Sequence, residues 1–270
     1  MRRLGANGMR EYRKRIVVMR KSDKEIELMA QAGAITGAAL QATLDALRPG
    51  VTTAEVDKIA EQVIRDAGAV PSFKGFRGYP ASTCIEINDV VVHGIPSEDV
   101  VVEEGDIVGV DVGAYFEGFH GDTAATLAIG DVSDEARDLI SVTEASLRAG
   151  IDAAQAGNRL KAIPMAIQEC VEAAGFSVVR QLLGHGIGRQ MHEPPQVPNY
   201  YSPGEFPDYE LQLRPGIVLA IEPMVNVGGV AVTVDSDGWT TRTADGSLSA
   251  HFEHTIAVTK DGPRILTARD

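Results

Sequence analysis

An internal repeat limits what this chain can fold into more than any other feature. At an offset of 107, Ala32, Ile35, Leu40, Leu44 and Gly50 match Leu139, Val142, Leu147, Ile151 and Gly157. The register continues with Val56, Ile59, Ile64, Ala67 and Gly68 against Ile163, Ala166, Val171, Ala174 and Gly175. At an offset of 111, Gly105, Ile107, Val108, Val110 and Asp111 match Gly216, Val218, Leu219, Ile221 and Glu222. Helices generate chance matches of apolar periodicity, but not readily two aligned glycine stops and an aligned acid at a strand end. Local signals agree. Lys24 to Leu47 is amphipathic and stops at Arg48-Pro49-Gly50. Thr52-Thr53-Ala54-Glu55 is a capping box for a second helix that runs to about Ala67-Gly68. A Gly- and aromatic-rich loop, PSFKGFRGYPAS, and a strand, TCIEINDVVVHGI, follow. The expectation is an α+β fold of two pseudosymmetric halves, about 25–130 and 131–265. They share one mixed, mainly antiparallel sheet with helices on one, outer face.

Within this frame the acids are out of place. The stretch GDIVGVDVGAYFEGFHGDT reads as two strands around the turn Glu117-Gly118, with Asp111 and Asp122 inside apolar runs. A carboxylate there loses hydration and needs a positive partner, for which a cation is the simplest choice. An Asp beside a turn is often only a turn former, so the hairpin alone does not decide. The second half adds Glu222 in IEP and Glu253 in HFEHTIAV. Each half also has His-Gly-Ile after a strand, His93 in VVHGIP and His185 in LGHGIG, at a spacing that is neither repeat offset. Duplication explains aligned glycines but not strand carboxylates in both halves. Four carboxylates and an imidazole are too many ligands for one zinc. They suit two divalent ions a few Å apart, a pair that lowers the pKa of water and polarises a carbonyl. Phosphoryl transfer would want Arg, Lys or a glycine-rich nest. GHGIGRQ, the one comparable segment, lacks a Lys-Ser/Thr, so acyl transfer is favoured.

Composition adds exclusions. No apolar run approaches the roughly 20 residues that cross a membrane, and the basic N-terminus lacks the apolar segment of a secretory signal. Cys84 and Cys170 form neither a disulfide framework nor a zinc spacing, which points to the cytoplasm. The net charge of −13 conceals a basic arm. Arg2, Arg3, Arg10, Arg13, Lys14, Arg15, Arg20, Lys21 and Lys24 face only Glu11 and Asp23. Residues 1–22 are expected as a flexible arm, either a solvated tail or a transient contact with the ribosome, and residues 23–270 as a single, monomeric catalytic domain.

The runs VVHGIP, FHGDT, GHGIGRQMHEPPQVPNY, IEPM and EHTIAVT together resemble methionine aminopeptidases of type I, the bacterial form, from about residue 22 to the end. The resemblance implies the pita-bread fold and removal of the initiator methionine from nascent chains when the second residue is small. It implies two divalent ions (Co, Mn, Fe, Zn or Ni) on Asp111, Asp122, His185, Glu222 and Glu253, with Asp122 and Glu253 bridging. Glu222 would also relay a proton, and His93 and His192 would contact substrate near the scissile bond. Phe76, Tyr79, Cys84, Met191 and Trp239 would line the methionine pocket, an apolar slot with aromatic edges. Met191 stands where the family often has Phe, and Phe76 where it often has Tyr.

Two alternatives remain in view. One is a proline-type peptidase on the same fold, although those relatives carry a large domain ahead of the catalytic half. The other is a non-catalytic relative that binds peptide or ribosome, although every ligand position is filled. His120 reads as support for the site, His251 and His254 as strand residues with local partners, and Cys170 as helix core.

Overall fold

A computed structural model describes residues 17–269. Most of the expected arm lies outside the described residues. Its last residues are anchored: Arg20 Nε donates to the carbonyl of Pro215, and the Lys21 N–H to that of Gly216.

Four helices appear at the repeat positions. Helix α1, Asp23–Ala46, is capped by Ser22 with Glu25 in a capping box, and α2, Thr53–Asp66, by the Thr52–Glu55 box read from the sequence. Helices α3, Asp134–Ala153, and α4, Ala162–Ala173, stand in the same places in the second half. The aligned glycines share a conformation. Gly50 and Gly157 have φ of 90° and 98°, Gly68 and Gly175 74° and 86°, Gly105 and Gly216 93° and 94°. All are left-handed turns open to glycine at no steric penalty.

A nine-stranded sheet carries the helices, and its pairings are antiparallel. At its centre the strands Ile107–Phe116 and Phe119–Ala128 pair along their full length. Thr83–Ile87 borders the first of them. Beyond the second lie Glu253–Thr259, Val218–Ile221, Gly184–Gly186 and Glu193–Val197 in that order. Helix α1 packs on the central hairpin. The approach is close enough that a Cβ on Gly121 would stand 2.8 Å from Thr36 Oγ1 and 2.9 Å from Gly33 Cα. The largest apolar cluster joins both halves, from Leu40, Val56 and Val110 to Leu147, Ile163 and Ile221.

Register extends the repeat to residues that sequence alone does not align. Ile107 pairs with Ala128, and its counterpart Val218 with Ala257. Counting back along both strands makes Ala124 the counterpart of Glu253, and Asp122 that of His251. Ala124 and Glu253 also pair with each other, so the pseudo-twofold axis passes between their strands. On the flank, Glu86 pairs with Gly109 and His185 with Ala220, the counterpart of Gly109. Glu86 and His185 therefore occupy equivalent places.

One expectation is corrected. The run TCIEINDVVVHGI is two strands, Thr83–Ile87 and Val90–Val92, and the second joins a smaller sheet through Thr241–Thr243. Asn88 breaks it at φ 55°. Its side chain accepts from the Ile107 N–H and donates to Asp106, the local bonding that lets Asn occupy a left-handed turn. Among the described residues no helix is long and apolar enough to cross a membrane.

Candidate active site

Sheet register gathers the acids into one row. Cys84 pairs with Asp111, Asp111 with Ala124, and Ala124 with Glu253. Glu222, one step past the Ile221–His254 pair, comes next. Asp122 lies two residues from Ala124 on the same face, diagonal to Asp111. Ala124 stands between Asp111 and Glu253 in this row, with only a methyl group on the strand that separates them. Asp122 is tied to the neighbouring strand at both backbone ends: its N–H donates to Thr255 Oγ1, and the Thr255 hydroxyl donates to its carbonyl.

Asp111, Asp122 and Glu253 are buried and Glu222 is partly buried, and Asp111 Oδ1, Asp122 Oδ1 and Glu253 Oε1 have no hydrogen-bond partner. Burial lifts Asp111 to about 7. Burial first, and then the surrounding carboxylates, hold Asp122, Glu222 and Glu253 well above the usual range. His185 completes the arrangement. Its Nδ1–H donates to the Gly186 carbonyl at 2.9 Å, leaving Nε2 as a lone pair. Nε2 lies 3.6 Å from Glu222 Oε1 and 3.9 Å from Asp122 Oδ2. Burial, with His192 nearby, holds the ring neutral down to about pH 3. Asp122, His185 and Glu253 each place a donor atom within 4.8 Å of the others. Glu86, Asp111 and His251 do the same in a second group. Unpartnered buried oxygens around a neutral imidazole nitrogen fit divalent cations with oxygen and nitrogen ligands.

The acids form one end of a cavity of about 210 Å³. Asp111, Asp122, His185, Glu222 and Glu253 line it together with His93, His192, Phe76, Tyr79, Cys84, Met191 and Trp239. Every residue expected at the site is thus in one place. The apolar end is braced by ring contacts. Trp239 meets Tyr79 edge-on at 5.1 Å and His93 at 6.2 Å. Phe76 stands 5.3 Å from His192, which is itself 4.3 Å from His185. The Tyr79 hydroxyl is satisfied by the carbonyls of Thr83 and Gly94, so the ring face alone is presented. His93 sits at φ 60°, a backbone region that is unfavourable for a side chain and recurs at functional sites. Burial pushes both His93 and His192 down to about 4.

Sequence reading missed Phe73 and Arg77, which also line the cavity, and Glu86, whose signal was present as an acid between Ile85 and Ile87. The local partner expected for His251 is instead remote: its Nδ1 lies 3.4 Å from Glu86 Oε1. His254 meets Thr123 and Thr267, and His120 meets Ser72 outside the ligand groups. Cys170 is only partly buried.

Comparison with known proteins gives the same picture. Residues 27–260 match the family described as metallopeptidase family M24. A methionine aminopeptidase of Clostridium acetobutylicum is 52% identical over 251 residues, 93% of this chain and 99% of that protein. Methionine aminopeptidase 1 of Mycobacterium tuberculosis is 50% identical over 94% of this chain and 97% of its own. The crystal structure of the Thermotoga maritima methionine aminopeptidase superposes with a TM-score of 0.90 at 42% identity, covering 94% of this chain and all of that one. A prolidase of Pyrococcus furiosus shares the fold, with a TM-score of 0.76 at 24% identity over 94% of this chain and 66% of its own. The chain belongs to metallopeptidase family M24.

Proposed function

We infer that this chain removes the N-terminal methionine from polypeptides whose second residue is small, using two divalent ions held by Asp111, Asp122, His185, Glu222 and Glu253. One observation carries the reading: the buried acids and the aromatic slot are two ends of a single small cavity. When bound, the ions supply Lewis acidity for the scissile carbonyl and for water.

The chain's own residues do the rest. Phe76, Tyr79, Cys84, Met191 and Trp239 form a slot for an unbranched thioether, and its shape sets the first residue. Glu222 Oε1, beside the cavity and 3.6 Å from His185, is placed to accept a proton from water and return it to the leaving amine. His93 and His192 are neutral at physiological pH, so each presents one N–H donor and one lone pair to the peptide without adding a cation. Burial of the cavity strengthens these dipoles at the reacting carbonyl.

The test compares Met-Ala-Ser with Met-Lys-Ser on apo-protein to which single metals are added back. Methionine release that depends on metal and favours Met-Ala-Ser is expected. Preference for Ala-Pro-Ser would move the assignment to a proline-type peptidase, the activity borne by structural relatives such as the prolidase.

A further inference from the structure

In the second group of ligand-type residues, Glu86, Asp111 and His251, only Asp111 has a role in the reaction as derived so far. By register this group is the pseudosymmetric image of His185, Glu222 and Asp122. Glu86 stands at the place of His185, Asp111 at that of Glu222 and His251 at that of Asp122. Each set holds one imidazole and two carboxylates, with the imidazole and a carboxylate exchanged. The image differs in access, because Glu86 and His251 do not line the cavity, whereas Asp111 does. The pair approaches Asp111 from the side away from the substrate.

The seat for this pair is built into the sheet. Glu86 is 4% exposed and His251 2%. Gly109, across from Glu86, leaves the space its carboxylate occupies, since a Cβ there would lie 2.4 Å from Glu86 Oε2. The His251 backbone is fixed by Thr126 Oγ1, which accepts from its N–H and donates to its carbonyl. Nδ1 of the ring faces Glu86 Oε1, and Nε2 has no partner. Asp111 Oδ1 has none either, and the three residues hold donor atoms within 4.8 Å of one another. A neutral imidazole carries one N–H and one lone pair, so it links two carboxyl groups when one of them is protonated: an O–H on Glu86 donating to Nδ1 leaves the Nε2–H to donate to Asp111.

We propose that Glu86 and His251 are positioning residues for the ion centre: a carboxylate–histidine pair that braces the Asp111 carboxylate from behind and tunes the ion it holds. The inference rests on the reading of Asp111 as an ion ligand. It assigns the pair no contact with substrate and no ion of its own.

Titration of apo-protein with Mn²⁺ in a calorimeter, with ions counted by mass spectrometry, tests it. The wild type should bind two ions per chain; no methionine release with two ions bound would sink the functional reading alone, and fewer than two ions would sink both. His251→Leu should raise the dissociation constant of one ion about 10- to 100-fold, the usual effect of losing a ligand's hydrogen-bond partner. The other ion should stay within about twofold and the apo melting temperature should be little changed. His251→Gln, whose amide can bridge both carboxylates, should restore the lost affinity. Glu86→Leu combined with His251→Leu should cost no more than the worse single change, because the pair acts as one unit. If His251→Leu does not fold, His251→Asn, polar but too short to reach Asp111, takes its place. Equal weakening of both ions with a fall in apo stability would make the pair merely structural. Unchanged affinities, or a third ion in the wild type, would overturn the proposal.

Discussion

The two halves of the molecule repeat one plan, and the difference between them separates charge from shape. In the first half, a two-residue turn joins two ten-residue strands, Ile107–Phe116 and Phe119–Ala128. In the second half the equivalent strands are Val218–Ile221 and Glu253–Thr259, and the segment between them wanders through four short strands. That insertion delivers Trp239. Of the other pocket residues, Phe76, Tyr79 and Met191 also stand on segments the repeat does not align, as does His192; Cys84 is the exception, on a symmetric strand opposite Asp111. By contrast, Asp111 and Glu222, Asp122 and His251, Glu86 and His185, and Ala124 and Glu253 are register counterparts. Symmetric positions hold the charge cluster, and the departures from symmetry hold the slot. Ion affinity and side-chain selectivity should therefore be separable by mutation.

The largest expected effect is at a symmetric position. Asp122→Asn should leave the fold intact and lower metal-replete turnover by roughly 10³-fold or more, since on the proposed function this oxygen pair would serve both ions. The same change should leave the ranking of first residues as it was. Near-normal turnover in the variant would break the assignment of charge to the symmetric rows.

The first half of this comparison was legible in the chain, and much of the second was not. Helix ends could be read because caps are local: Thr52 meets Glu55 three residues on. Asp111 and Asp122 could be read because a carboxylate in an apolar strand violates a rule that needs no partner to detect. Glu86 broke the same rule in TCIEI. It escaped because its counterpart His185 is 99 residues on, off both repeat offsets, and its partner His251 is 165 residues away. Phe73 and Arg77 were illegible for another reason. Their loop turns through Gly75, Arg77 and Gly78 at positive φ, and no periodicity reports where such a loop points.

The next effect sharpens the asymmetric side. Lys21 is buried against Glu193, Nζ to Oε2 at 2.7 Å, with side chains 6% and 10% exposed. Glu193 also accepts from the Gln190 N–H, so the pair closes the turn that presents Met191 and His192. Gly188 makes room for the lysine stem, whose Cε lies 2.5 Å from where a Cβ would be. Removing one member of a buried pair leaves the other charge uncompensated and costs about 3–5 kcal/mol. Lys21→Met should lower the melting temperature and raise KM more than it lowers kcat. Adding Glu193→Gln should recover part of the loss. A variant with unchanged KM would detach this turn from the pocket.

Selectivity is the smaller, purely asymmetric effect. A methylene or a branch in such a slot is worth about 1–3 kcal/mol, or roughly 10- to 200-fold. Norleucine-Ala-Ser should be cut only modestly worse than Met-Ala-Ser, and Leu-Ala-Ser far worse. Trp239→Ala should narrow the gap between methionine and leucine without altering ion stoichiometry. Equal use of the two by the wild type would show that the slot is not shaped as described.

The last prediction returns to the symmetric charges and asks what they do without ions. In the apo form Asp111 has a folded pKa of about 7 against an ordinary 3.8, raised by burial. Asp122, Glu222 and Glu253 are also raised well above the ordinary carboxylate range, by burial first and then by the neighbouring carboxylates. A raised folded pKa means the native state holds the extra proton, so this stability is complete below the ordinary value and is lost as pH rises through the folded one. The buried histidines act the other way: His93, His185 and His192 are depressed from 6.5 to between about 3 and 4, so they favour folding as pH climbs toward 6.5. Above 6.5 the histidines are neutral in both states and only the carboxylates still titrate. Apo-protein should therefore lose about 1.4 kcal/mol per pH unit for each carboxyl that stays protonated when folded, from pH 6.5 upward. The signature is an apo melting temperature that falls between pH 6.5 and 8.5, beside a metal-loaded one that stays nearly flat. Proton release on metal binding should match, read as a calorimetric heat that varies with the ionisation enthalpy of the buffer. Parallel apo and loaded curves would mean that the four acids do not share one site, and the symmetric half of the comparison would go with them.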